Sequence, residues 1–252
     1  MITECLAILG VGLAGGLLPL LTRWSHRNLH VALALSTGVF LGAVFLHMLP
    51  ALPTELPGGD HGHVGEEAAH GHGSMAIWGA VLVGVLAVYL FEALVFRTHD
   101  HDELHRHRAV GWATLVGLTI HSLTTGFGLA AAGMEGVAAP VFVAIIAHKA
   151  FEAFSLTSVF RLAEFPTKRI VVLVSLFALA TPLGVVAGEA VLHSVSEAAV
   201  VIALALAAGT FLYVCLCELL PEVFHHREDG ALKIALLAAG IGAMVVVAGF
   251  EG

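Results

Sequence analysis

Long apolar runs separated by polar breaks make up most of the chain. Eight runs, at about 3–22, 31–50, 76–96, 109–132, 137–160, 168–189, 195–220 and 231–250, reach the ~20 residues that a helix needs to cross the hydrocarbon core of a bilayer. The pattern predicts an all-α membrane protein with eight transmembrane helices in a single domain, residues 1–252. The first run has no basic segment before it and carries Glu4. It is read as a spanning helix and not as a signal peptide. Two breaks are polar and rich in histidine. Residues 55–74, containing "ELPGGDHGHVGEEAAHGHG" with His61, His63, His70 and His72, are expected to form a flexible loop. Residues 97–108, containing "THDHDELHRHR" with His99, His101, His105 and His107, are expected to form a second histidine-rich loop.

Basic residues test the count of spans. Arg23 and Arg27 follow run one, Arg97, Arg106 and Arg108 run three, Arg161, Lys168 and Arg169 run five, and Arg227 and Lys233 run seven. Ten of the 11 Lys and Arg thus fall beside odd-numbered connections, an alternation that a wrong count would scramble. The positive-inside rule places these connections in the cytoplasm and both termini outside it. The 97–108 loop is then cytoplasmic and the 55–74 loop extracytoplasmic. A cell membrane, plasma or inner, is the expected location, with the lipid bilayer as a partner.

Composition agrees. Hydrophobic residues make up 58% and charged residues 12%, against roughly 25% charged in a soluble domain. No basic patch suggests nucleic acid. Cys5, Cys215 and Cys217 lie in apolar runs at spacings that fit neither a disulfide framework nor a zinc knuckle.

The chain also echoes itself. "STGVFLGAVFLHMLP" in run two aligns with "AAGTFLYVCLCELLP" in run seven, matching Gly38 to Gly209, Phe40 to Phe211, Leu49 to Leu220 and Pro50 to Pro221, with His47 opposite Glu218. "HSLTTG" in run four faces "HKAFEA" in run five. The members of each pair run in opposite directions, as the inverted repeats of secondary transporters do.

The candidate chemistry sits in runs four and five. His148 and Glu152 are four residues apart and share a helix face, as do His121 and Thr125, with Ser122 beside the first histidine. Both sets lie near mid-span, where ionisable groups are rare and face the protein interior or a water-filled path. Two imidazoles and a carboxylate suit a borderline divalent ion such as zinc, with Ser122 and Thr125 as weaker oxygen donors. The other reading is a polar cluster that joins helices by hydrogen bonds. His47 and Glu218, nearer helix ends, either line a pathway or lie at the interface. Glu92 is expected to be solvated. "GLAGG" and "AAGIGA" permit close helix packing and a homodimer.

"HSLTTGFGLA" and "HKAFEAF" resemble the paired signatures of the ZIP (Zrt-, Irt-like protein) metal-transporter family. "GVFLGAVFLHMLP", "TPLG" and "GTFLYVCLCELLPE" are similar to its second, sixth and seventh helices. The resemblance implies an eight-helix fold in a 3+2+3 arrangement. It also implies a metal site between helices four and five, and uptake of a divalent ion, zinc first, with ferrous iron, cadmium or manganese as alternatives. The metal is then substrate, and no cofactor is expected. Some members hold a second metal through acids at positions where this chain has Lys149 and Thr181, so one midplane metal is expected, with Lys149 and Thr181 blocking the second. The cytoplasmic histidines His99, His101, His105 and His107 are expected to capture or sense metal. A rival class, an intramembrane metalloenzyme, lacks support because no HExxH occurs in the chain. A metal sensor without flux remains open.

Overall fold

The structure is a computed structural model. It describes residues 1–22, 24–54, 56–57, 66–95, 103–134, 136, 138–225 and 228–249. Every regular element among them is helical. Eight helices are long and apolar enough to cross a membrane: α1 (Ile2–Leu21), α2 (His26–Met48), α3 (Glu66–Val95), α4 (Glu103–Met134), α5 (Ala138–Leu162), α6 (Thr167–Ser194), α7 (Glu197–Phe224) and α8 (Gly230–Ala248). Leucine, valine and isoleucine side chains such as Leu82, Leu86, Leu90, Leu176, Ile234 and Val246 point outward. Hydrocarbon is the solvent that such a surface fits.

α3 and α4 start earlier than the apolar runs do. Residues 66–73 and 103–108 are helical, so the later part of each histidine-rich segment belongs to a helix. The reason is local. Glu66 and Glu67 open α3, and Glu103 opens α4, acids that favour the positive end of a helix dipole.

Helix ends are satisfied by nearby groups. Ser25 caps α2 by accepting from the Asn28 amide, and Ser196 caps α7 by accepting from the Ala199 amide. The guanidinium of Arg161, at the end of α5, donates to the carbonyls of Pro19, Thr22 and Trp24, which closes the C-terminal end of α1. Arg27 grips Asp229 with two hydrogen bonds, of 2.5 and 2.7 Å, tying the start of α2 to the start of α8. The hydrogen bond from Arg27 holds the Asp229 carboxyl below its usual range, so this tie keeps its charge near neutral pH. Gly136, at φ 79°, makes the turn between α4 and α5, a backbone geometry that suits glycine.

Glycines set how closely the helices meet. The most extensive pairings are α2 with α8, α3 with α7, α4 with α6 and α1 with α5. Three are reciprocal glycine contacts. A Cβ on Gly38 would sit 2.1 Å from the Leu237 carbonyl oxygen, and one on Gly240 2.3 Å from that of Leu35. Gly84 and Gly209 meet Leu206 and Val81 in the same way, and Gly126 and Gly184 meet Thr181 and Leu123. Gly15 of "GLAGG" packs on the Ala150 carbonyl, and Gly240 belongs to "AAGIGA". These glycines therefore serve packing within the chain, while Gly242 has nothing within 4 Å.

Helices α2 and α7 widen into π-helical turns at Val44–Met48 and Val214–Leu219. These are matching positions of the sequence echo. Pro50 and Pro221 follow them. A helical proline removes one amide donor and crowds the carbonyl four residues earlier, and a π turn relieves both. Pro182 has a similar effect on α6, which breaks at Leu179.

Candidate metal centre

The site is built from one face of α4 and one of α5. Both helices pass each other near their midpoints, so His121 and Ser122 meet His148, Lys149 and Glu152. All five are buried, each at most 6% exposed. His121, His148 and Glu152 offer one ligand atom each, all within 4.8 Å of one another, and no other such group occurs among the described residues.

Glu152 organises the arrangement, because its two oxygens face different partners. Oε1 lies 3.2 Å from His121 Nε2 and 3.4 Å from His148 Nε2. A tetrahedral zinc ion with arms of ~2.0–2.1 Å would set neighbouring ligand atoms ~3.3 Å apart, which the two separations from Oε1 match. Thr125 Oγ1 is 3.3 Å from His121 Nε2, while its hydroxyl donates to the His121 carbonyl at 2.8 Å.

The other oxygen belongs to a cation already present. Lys149 Nζ donates to Glu152 Oε2 at 2.8 Å and to Ser122 Oγ at 2.7 Å, and Ser122 donates to the same Oε2 at 3.0 Å. The ammonium also lies 4.4 Å from the centre of the Phe177 ring. Lys149 is thus neutralised inside the protein and does not snorkel to its surface. Ser122 binds the lysine side of the carboxylate, away from the imidazoles. Thr181 is fully buried where α6 breaks, its backbone against Gly126 of α4, and its hydroxyl has no hydrogen-bond partner among the described residues.

The remaining candidates are not part of this three-ligand group. His47 is half-buried in the π turn of α2, and Glu218 is buried in that of α7. Glu92 is half-buried and accepts a short hydrogen bond from the Tyr213 hydroxyl, so it is not simply solvated. His99 and His101, like His61 and His63, lie outside the described residues, and the side chains of His105, His70 and His72 do as well. His107 differs from the loop residue expected. It sits in the first turns of α4, 5% exposed, with Nδ1 3.0 Å from Glu222 Oε1. His30 Nδ1 bonds the Glu222 carbonyl at 3.0 Å.

Sequence reading missed Glu222 and His30, which look like ordinary helix-end residues, and Phe211, whose ring stacks on His121. For Phe211 a signal existed, since its repeat mate is Phe40. For His107 the signal was its spacing from His121: 14 residues is close to four helical turns, which puts both on one face.

Comparison with known proteins bears on what this cluster is for. The family model "ZIP Zinc transporter" matches residues 1–102 and 96–248. Zinc transporter ZIP9 of Xenopus tropicalis is 30% identical over 256 residues, covering 86% of this chain and 84% of the relative. Zinc transporter ZIP2 of Mus musculus is 27% identical over 295 residues, covering 96% and 95%. Zinc transporter 8 of Oryza sativa subsp. japonica is 30% identical over 200 residues, 74% of this chain and 47% of the relative, so the chain spans about half of the rice protein's length. With eight membrane-length helices and a family match over nearly its whole length, the chain belongs to the ZIP zinc transporter family.

Proposed function

We propose that the protein carries a divalent ion, zinc foremost, into the cytoplasm through one midplane site formed by His121, His148 and Glu152. The observation that supports this most directly is the convergence of two imidazole nitrogens on one carboxylate oxygen at the spacing that a tetrahedral ion requires. The ion would exchange its water for these three ligands, with Thr125 completing the set.

Polar groups mark a way out. Ser155 lies one turn from Glu152 towards the end of α5, and Thr114 two turns from His121 towards the start of α4. Both hydroxyls are buried with no hydrogen-bond partner among the described residues. Beyond them His107 and Glu222 stand at the helix ends that the positive-inside rule assigns to the cytoplasm. His47 would receive the ion on the outer side. Exchanging α1 with α6, α2 with α7, α3 with α8 and α4 with α5 leaves the set of extensive helix pairings unchanged. That self-consistency supports a 3+2+3 arrangement of inverted repeats, and with it alternating access by movement of α4 and α5 against the remaining helices.

The test is uptake into proteoliposomes with zinc, ferrous, cadmium and manganese ions in competition. His121→Ala, His148→Ala and Glu152→Gln should each lower zinc uptake at least 10-fold while the protein stays folded. Normal uptake in these variants would remove the site from the mechanism. Binding without uptake in the unmodified protein would turn the reading to a sensor.

A further inference from the structure

We infer that Phe211 is a positioning residue for His121, one that holds the imidazole towards Glu152 and favours its metal-bound form. The inference rests on reading His121, His148 and Glu152 as a metal site, and it adds α7 to the helices that shape that site.

A metal-binding histidine ordinarily donates its second ring nitrogen to a carboxylate, a carbonyl or a water, which fixes the ring. His121 Nδ1 has no hydrogen-bond partner among the described residues. The polar contacts that the ring does make, to Glu152 and Thr125, are both at Nε2, where the ion would bind. What holds the ring is a face. Phe211 lies nearly parallel to it, centroids 4.0 Å apart and planes 9° from parallel. Phe211 is itself immobilised. It is fully buried, and Phe40, its repeat mate, packs on it at 5.2 Å. The ring of His148, by contrast, is tilted 46° to that of His121 at 5.9 Å.

The stack also has an electrostatic sign. Binding a dication draws electron density from the imidazole. The face of a phenyl ring is negative and attracts an electron-poor partner. Phe211 therefore stabilises the loaded histidine more than the empty one.

The experiment uses the purified full chain and cobalt(II), whose visible absorption reports the ligands around it. Phe211→Leu should weaken cobalt binding about 10-fold and change the shape of the absorption band. Phe160→Leu, an equal truncation of another fully buried ring, should alter neither. Should Phe211→Leu fail to fold, phenylalanine at 211 carrying one to five ring fluorines keeps the shape while it reverses the charge of the face. Binding should then weaken step by step with fluorine number. Wild-type affinity and spectrum in Phe211→Leu, or no trend across the fluorinated rings, would overturn the inference. His121→Ala separates the two levels. If it loses cobalt while the Phe211 variants do not, only the role of Phe211 falls. If it binds cobalt as the unmodified protein does, the site itself falls.

Discussion

Glu152 divides its charge between two sides, and single substitutions there act on both. Glu152→Ala would leave the Lys149 ammonium buried and unpaired, which costs about 3–5 kcal/mol when one partner of a buried pair is removed. The double variant Lys149→Met, Glu152→Gln should therefore unfold at a higher temperature than Glu152→Ala, a comparison that thermal unfolding in detergent can make. A double variant no more stable than the single would show that the pair is not coupled. Lys149 also explains why one ion is expected. A second dication near Ser122 would meet the ammonium 2.7 Å from Oγ, and like charges a few ångströms apart in a low dielectric repel strongly. Lys149→Glu should admit a weak second ion. Thr181 supplies no acid, so its occupancy should be partial. Anomalous scattering from crystals at saturating zinc measures this, and two full midplane ions in the unmodified protein would exclude the blocking role. At this scale the sequence was informative where polarity contrasts with its surroundings. His148 and Glu152 stand out in an apolar run, and their spacing puts them on one face. Phe211 does not stand out, because a phenylalanine in a membrane helix has the same composition signal whether it packs on lipid or on a ligand.

Elements were legible to within a few residues in the spans and less so at their ends. The eight apolar runs correspond to eight helices, because in hydrocarbon the backbone must satisfy its own hydrogen bonds. The starts of α3 and α4 were misread because their first turns are polar, and a hydropathy pattern does not register a polar helix that continues into water. The π turns were hidden as well, although Pro50 and Pro221 mark them. Glycine packing offers a matched pair for measurement. Gly240→Ala forces a methyl group onto the Leu35 carbonyl and should destabilise by about 1–3 kcal/mol. Gly242→Ala, two residues on and facing open space, should be neutral or gain up to ~1 kcal/mol from helix propensity. Equal thermal shifts for the two would contradict the close approach of α2 and α8.

For the whole molecule, orientation rests on where the basic residues fall. In a background with Cys5, Cys215 and Cys217 replaced, a cysteine at Lys168 should be shielded from an impermeant thiol reagent outside the cell. One at Glu197 should react. Both positions are exposed in the structure, so the reverse pattern would invert the topology. What the chain could not show at this scale was how its helices pair, since pairing depends on glycines meeting carbonyls from distant segments, such as Gly126 with Thr181 and Gly184 with Leu123.

The resident ammonium has an electrical consequence. The Lys149 ammonium already offsets the Glu152 carboxylate, so an ion that binds with no proton exchanged adds its whole +2. Transport would then pass two charges per ion as current, with no counter-charge required on the return. At 100 mV, inside negative, two charges gain about 4.6 kcal/mol on entry, enough to sustain an accumulation on the order of 10³-fold with no other driving force. Voltage-clamped proteoliposomes should give two charges per zinc ion taken up, and a ratio near zero would show that something else crosses with the metal.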